Sequence, residues 1–199
     1  MGTNTGFTVF FTGLPGSGKS TLANTLTLRL ENAGRVVSLL DGDVVRQHLT
    51  AELGFSKEHR NLNVQRIGFV AAEVTRAGGA VVCAAVAPYD EARRSVRRAI
   101  EKVGCFFLIY VSTPLEVCET RDPKGLYARA RAGELTQFTG VSDPYEPPVD
   151  ADVVIDTTTI CVDAAVDRVL EALRRSGQRL SAESGGRIST HGSPLYGAN

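Results

Sequence analysis

Residues 7–21 read "FTVFFTGLPGSGKST", an apolar run followed at once by Gly13–Thr21 in the pattern G-x-x-x-x-G-K-[ST]. The run Phe7–Thr12 predicts a strand. Lys19–Asn32, with Leu22, Leu26 and Leu30 at i, i+4 and i+8, predicts a helix. A glycine-rich turn at that junction aims backbone N–H groups and the positive end of a helix at one point, which suits an anion. Gly13, Leu14, Pro15, Gly16, Ser17, Gly18 and Thr21 are then the wrapping residues of a phosphate loop. Lys19 would reach the β and γ phosphates of a nucleoside triphosphate and act in catalysis, and the Ser20 hydroxyl would ligate Mg²⁺. A plain connecting turn explains the glycines but not a lysine and a serine at these two places. The acceptor of the terminal phosphate stays open, since motors, GTPase switches and small-molecule kinases share the loop.

Outward from this point, short apolar runs alternate with helical patterns. Val36–Leu40, Ala80–Ala85, Phe106–Val111 and Val153–Ile155 read as strands, and Arg60–Arg76, Glu91–Val103 and Val162–Arg174 as helices. Near-continuous apolar strands alternating with helices predict an α/β protein with a parallel sheet covered on both faces. A chain of 199 residues has room for one domain, expected over 1–176. Residues 177–199 are Gly/Ser-rich and aperiodic and are expected to be a disordered tail. Lys plus Arg and Asp plus Glu both number 22, so the chain carries no net charge to attract nucleic acid or an anionic membrane. Its apolar runs are too short to span a bilayer and its start lacks the pattern of a signal peptide, so a cytoplasmic location is expected. Cys83, Cys105, Cys118 and Cys161 form no C-x-x-C pair and are expected as buried free thiols rather than a disulfide or zinc framework.

Three further stretches carry chemistry. In "LLDGDVVRQHL", Asp41 and Asp43 stand at the carboxyl end of a predicted parallel strand, where open α/β sheets bind ligands. Phosphoryl transfer needs a carboxylate there to hold a metal's water shell or to take a hydroxyl proton. Aspartate is also a favoured helix N-cap, and both roles stay open for either residue. In "GFSKEHRNLNVQRIGFVAAEVTRAGG", Arg60 and Asn63 fall on the same helix side as Val64, Ile67, Ala71 and Val74. A charge on the buried side needs an anionic partner, either a ligand or a carboxylate of the chain itself. With Arg46, these residues suggest a second anion pocket. In "RDPKGLYARARAGELTQFTGVSDPYE", Lys124, Arg129 and Arg131 crowd a short helix amid turn residues, the composition of a mobile lid that brings cations over phosphates. Phe138, an aromatic in a polar loop, is a candidate to stack on a base.

The segments "GLPGSGKST", "DGDVVR", "LGFSKEHRNLNVQRIGFVA", "PLEVCETRDPKGLYARARAGE" and "FTGVSDPYEPP" resemble, in order, those of adenylylsulfate kinases, over about residues 6 to 175. The wording is most similar to the kinase domain of bifunctional sulfate adenylyltransferase/adenylylsulfate kinase proteins. The resemblance implies a P-loop kinase fold with a five-stranded parallel sheet, helices on both faces and a mobile lid. It implies transfer of the ATP γ-phosphoryl group, with Mg²⁺, to the 3′-hydroxyl of adenosine 5′-phosphosulfate. By motif, Arg46, Arg60 and Asn63 would hold the phosphosulfate and Lys124 would close on it. Phe55 and Phe138 would sandwich the acceptor adenine, and Arg121 would pack on the adenine of ATP. Asp43, with Asp41 near it, would serve the metal or the 3′-hydroxyl proton. A homodimer and a functional or fused sulfate adenylyltransferase are the implied partners.

The chain departs from the pattern in three places. Many members read "FISPY" after the third strand, where this chain has "AVAPY", with Ala85 and Ala87. His59 stands where an aspartate is common. The first strand begins at once, without the N-terminal arm that many stand-alone members carry, as in an excised kinase domain. A kinase for another small metabolite would share the loop and lid but gives no reason for "FTGVSDPYE". A non-catalytic nucleotide-binding domain would not need Lys19, Ser20, Asp41 and Asp43 all intact.

Overall fold

The structure, a computed structural model, describes residues 6–178 and 180. Five strands, β1 (Phe7–Gly13), β2 (Val37–Asp41), β3 (Ala80–Ala84), β4 (Cys105–Val111) and β5 (Val153–Ile155), lie parallel in the order β2-β3-β1-β4-β5. The three inner strands are predominantly apolar, and β1 and β3 are buried along their whole length, with Thr8 and Thr12 of β1 satisfied by hydrogen bonds. β2 sits at an edge and is half-exposed.

Alternation along β1 divides the core in two. Phe7, Val9 and Phe11 face one layer, where they meet Leu22, Leu26 and Leu30 of α1 (Lys19–Asn32) and Val166, Val169 and Leu173 of α7 (Val162–Arg175). Phe10 faces the other layer, with Ile67 of α3 (Lys57–Arg76) and Val96 and Ile100 of α4 (Asp90–Ile100). Close packing of α3 on α4 depends on Gly68, because a Cβ there would come within 2.5 Å of Val96 Cγ2.

Strands and long helices fall where the sequence places them, within a few residues. The helix expected from Arg60 begins at Lys57, because Ser56 caps it by accepting from the His59 N–H at 3.2 Å. Two seven-residue helices were not expected: α2 (Gly42–His48) and α5 (Leu115–Arg121). The short lid helix is α6 (Leu126–Arg131).

Of the expected tail, Gly177, Gln178 and Leu180 are described, and the rest lies outside the described residues. Gln178 N–H bonds Leu173 O at 3.0 Å, and Leu180 packs on the core. All four cysteines are free thiols. Cys83 and Cys118 are buried and Cys105 is partly covered, but Cys161 is exposed, against expectation. Among the described residues no helix is long and apolar enough to cross a membrane, and no three His, Cys, Asp or Glu residues group as a metal site.

Candidate active site

The strands' carboxyl ends, the α2 and α3 N-termini and the 121–127 and 138–139 segments enclose a single cleft of about 890 Å³. It opens at the topological switch point, where β1 is flanked by β3 on one side and β4 on the other.

The phosphate loop forms one wall. Gly18 holds φ of 102°, a left-handed conformation that lets the loop turn into α1 without a Cβ strain, and its side-chain space is closed by Thr157 Cγ2 at 3.3 Å. Pro15, Gly16, Gly18, Lys19, Ser20 and Thr21 line the cleft. Gly13 and Ser17 are both buried and do not line it, and Leu14 lines a separate groove with Leu115 and Tyr145. Lys19 is 8% exposed and its Nζ donates to Leu14 O at 2.7 Å. Burial pulls its ammonium down to about 8, against the pull of Asp43 and Asp41 in the other direction. A cation held out of water with only a carbonyl and, at 3.4 Å, the Ser17 hydroxyl as hydrogen-bond acceptors is suited to an incoming polyanion.

The Ser20 hydroxyl donates to Asp41 Oδ2 at 2.7 Å, and Asp41 Oδ1 accepts from Asp43 N–H at 2.9 Å. Asp41 is therefore both the N-cap of α2 and the hydrogen-bond partner of the loop serine. The side chain of Asp43 is free of the cap and pairs with Lys124, which reaches across from the lid. A hydroxyl beside two carboxylates is an all-oxygen set of the kind Mg²⁺ takes.

Arg121 also faces the cleft beside the loop. Its Nη1 donates to Thr157 Oγ1 at 2.7 Å, and Thr157 Oγ1 in turn lies 2.8 Å from Thr113 Oγ1, which donates to Ser17 O at 3.0 Å. Thr157 thus ties Arg121 to the phosphate loop, a role its sequence context did not signal.

At the far end stand Arg46, Phe55, Arg60, Asn63, Phe138 and Thr139. Arg46 donates to Leu53 O and Gly54 O, both at 3.2 Å, and its guanidinium lies 4.5 Å from the Phe55 ring centre. Asn63 Oδ1 accepts from Thr50 Oγ1 at 2.7 Å, and Phe138 packs edge-on against Tyr127 at 5.0 Å.

Of the two partners left open for Arg60, a carboxylate of the chain is present: Asp143 lies 3.5 Å from its Nε, and three uncharged oxygens of the chain accept its N–H groups. Asp143 stood inside the quoted "FTGVSDPYE" but carried no signal of its own. Arg129 and Arg131 do not reach over the cleft. They pair with Glu134 and Glu119 on the outside of the lid, and Lys124 alone of the three lid cations lines the cavity. The lid itself is pinned to the phosphate loop, since the buried Tyr127 donates its hydroxyl to Pro15 O at 2.9 Å.

A family model described as "Adenylylsulphate kinase" matches residues 5–156. Over 173 residues, 86% of the chain, the sequence is 50% identical to a sulfate adenylyltransferase of Aspergillus oryzae. The chain spans 30% of the length of that relative. Among solved structures it is similar to the Mycobacterium tuberculosis APS kinase CysC in complex with AMPPNP and APS, at TM-score 0.82 and 40% identity, covering 85% of this chain and 98% of that one. A hexameric APS kinase from Thiobacillus denitrificans matches at TM-score 0.67 and 45% identity, over 87% of this chain and 29% of that one.

Proposed function

The chain belongs to the adenylylsulfate kinase family, and from that premise we propose that it transfers the γ-phosphoryl group of ATP to the 3′-hydroxyl of adenosine 5′-phosphosulfate, giving 3′-phosphoadenosine 5′-phosphosulfate and ADP. The observation that carries this reading is one continuous cleft with a phosphate loop at one end, two phenylalanines and two arginines at the other, and Asp43 facing it between them.

In this reading ATP lies along Pro15–Thr21 with its adenine against Arg121. Lys19 exchanges its bond to Leu14 O for the β and γ phosphates. Ser20 and the carboxylate of Asp41 would hold Mg²⁺, which would neutralise charge on the phosphates. Because Asp41 is committed to the Ser20 hydroxyl and the α2 cap, Asp43 is assigned as the group that takes the 3′-hydroxyl proton. The new O–P bond forms at the acceptor oxygen as the bond to the β-phosphate oxygen breaks, and ADP carries the electron pair away. Lys124 leaves Asp43 when the acceptor enters and turns to the phosphosulfate together with Arg46, while Asn63 lies beside them. Phe55 and Phe138 stack on the acceptor base. The protein acts in the cytoplasm as a homodimer, alongside or fused to a sulfate adenylyltransferase.

The test is incubation with Mg-ATP and a set of acceptors, with ADP release and product mass followed together. Adenosine 5′-phosphosulfate should be consumed and AMP left intact, because AMP lacks the sulfate oxygens that the cleft cations receive. Comparable turnover of AMP would sink the assignment.

A further inference from the structure

Arg93 of α4 is a buried arginine that does not line the cleft. It is 3% exposed; its Nη1 donates to Ala87 O at 2.7 Å and its Nη2 to Glu146 O at 2.6 Å. Asp90 Oδ1, one turn back on the same helix, lies 3.6 Å from Nη2, and Nε is buried with no acceptor among the described residues. Holding a guanidinium out of water on two carbonyls and a long ion pair is a costly arrangement for packing alone. The carbonyl it grips belongs to a strained residue. Ala87 has φ of 42°, in the left-handed region that residues with a Cβ disfavour by about tenfold or more. Ala87 lines the cleft together with Ala85, Val86 and Pro88, in the stretch that follows β3 on the α2–α3 side of β1. Both of its neighbouring carbonyls are tied to groups outside the cavity. Ala87 O goes to Arg93, with Thr12 Oγ1 more distant at 3.4 Å, and Val86 O accepts from Thr12 Oγ1 at 2.7 Å. The same wall is joined to the 143–146 segment. Glu146 N–H donates to Pro88 O at 2.9 Å, Asp90 N–H to Glu146 Oε2 at 2.7 Å and the Tyr89 hydroxyl to Asp143 Oδ2 at 2.8 Å. Arg93 is bonded to both halves of this block.

We infer that Arg93 is a positioning residue for the acceptor: it holds Ala87 in its left-handed conformation and so fixes the shape of the cleft wall on the acceptor's side. This rests on the reading of the α2–α3 end as the acceptor's. Without the Arg93 bond, the Ala87 Cβ favours a negative φ and the wall changes shape. Only the fraction of molecules still in the left-handed form then receives the acceptor as before, and apparent affinity falls by that fraction. ATP lies against the phosphate loop and Arg121, on the other side of β1, and is spared.

Kinetics of Arg93→Met, alone and combined with Ala87→Gly, test it. In Arg93→Met the KM for adenosine 5′-phosphosulfate should rise by about tenfold, the bias of a residue with a Cβ against positive φ. The KM for Mg-ATP should stay within about twofold of wild type, as expected when its contacts are untouched. Glycine adopts positive φ without steric cost, so adding Ala87→Gly should bring the acceptor KM back to within about threefold of wild type although Arg93 is still missing. An arginine that only supports the core gains nothing from a change at residue 87. An unchanged acceptor KM in Arg93→Met, an equal rise in both KM values, or no rescue in the double variant overturns the inference. Should Arg93→Met fail to fold, Arg93→Lys, which keeps the charge and loses the planar fork, carries the same comparison with and without Ala87→Gly.

The hold itself is read without any substrate. The amide protons of Asp90 and Glu146 bond across the block, to Glu146 Oε2 and Pro88 O, so their hydrogen exchange reports whether its two halves stay joined. Exchange at both should quicken by about tenfold in the Arg93 variants, the effect of losing a charge-assisted bond, with the β1 and β4 amides unchanged. Wild-type rates there overturn the hold. Wild-type protein that leaves adenosine 5′-phosphosulfate unphosphorylated would overturn the functional reading instead, and the exchange arm would still decide what Arg93 does.

Discussion

Lys19 is the residue in which burial and chemistry meet most directly. Its ammonium is held near 8 by desolvation, so in the ligand-free protein it sheds a proton as pH rises through that value. A bound triphosphate favours the charged form and restores the proton. ATP binding at pH 9 should therefore take up protons, and affinity should fall by up to about tenfold per pH unit above 8. Calorimetry in buffers of different ionisation enthalpy reads the uptake, and none at pH 9 would contradict the burial argument. The sign for folding runs the same way. The unfolded chain, at 10.5, binds more protons between 8 and 10.5, so this group costs stability at neutral pH and ceases to do so as pH rises across that window. Asp43 makes a different prediction. With Asp41 left to cap α2 and to hold Ser20, Asp43→Asn should leave ATP affinity near wild type while turnover falls by about a hundredfold, the usual loss for a general base. Equilibrium binding and single-turnover kinetics separate the two, and a fully active variant would return Asp43 to the α2 first turn as a mere helix charge.

At the scale of elements, α3 carries Arg60 and Asn63 of the acceptor end, and its seat on α4 helps fix where they point. Gly68→Ala would place a methyl group against Val96 Cγ2, a clash of the kind that costs about 1–3 kcal/mol in a packed interior. The better helix propensity of alanine returns only about 1 kcal/mol. Urea denaturation should show net destabilisation, relieved in the double variant with Val96→Ala; a more stable single variant would mean that α3 and α4 shift apart freely. The elements also show what could be read in advance. β1, β3 and β4 are legible because a strand buried on both faces is apolar at nearly every position, the two buried threonines of β1 being hydrogen-bonded. The N-terminus of α3 is legible at Ser56 only once the cap is seen, so its first turn was missed. α2 and α5 have seven residues each, under two turns, too few for a 3.6-residue period to stand out. Arg129 and Arg131 show a different limit. Composition marks a basic lid helix, but which side of it faces the cleft depends on Tyr127 being buried, and the order of residues alone does not fix that.

For the whole molecule, the reaction geometry follows from a single cleft that takes both substrates together. Ala87 lines it, with its carbonyl held by Arg93 Nη1 at 2.7 Å and its φ at 42°. An alanine methyl offers no oxygen for a phosphoryl group, so direct transfer in a ternary complex is expected. Protein incubated with γ-labelled ATP alone should keep no label after denaturation, and chaseable stoichiometric label would refute it. The two ends of the cleft were unequally legible. The phosphate loop is contiguous, with strand, glycines, lysine and serine in one stretch, so its function could be read from order alone. The far end is assembled from Arg46, Phe55, Arg60 and Phe138, and the partner that neutralises Arg60 lies on another segment altogether. Sequence could say that a buried arginine needs an anion, not which anion.

The strand order has one more consequence, which concerns how the chain comes to be folded rather than what it does. β1 is the middle strand of the sheet and precedes both of its neighbours in sequence, so Phe7 has no strand partner until Ala80 is made on one side and Cys105 on the other. A growing chain must therefore carry "FTVFF" unpaired until β3 is made, with α1 as its nearest available cover. Parallel pairings between such distant segments close large loops before they gain contacts, which makes refolding slow and leaves a sticky apolar strand exposed meanwhile. The strand that positions the phosphate loop is thus also the one most in need of shielding while the protein is being made.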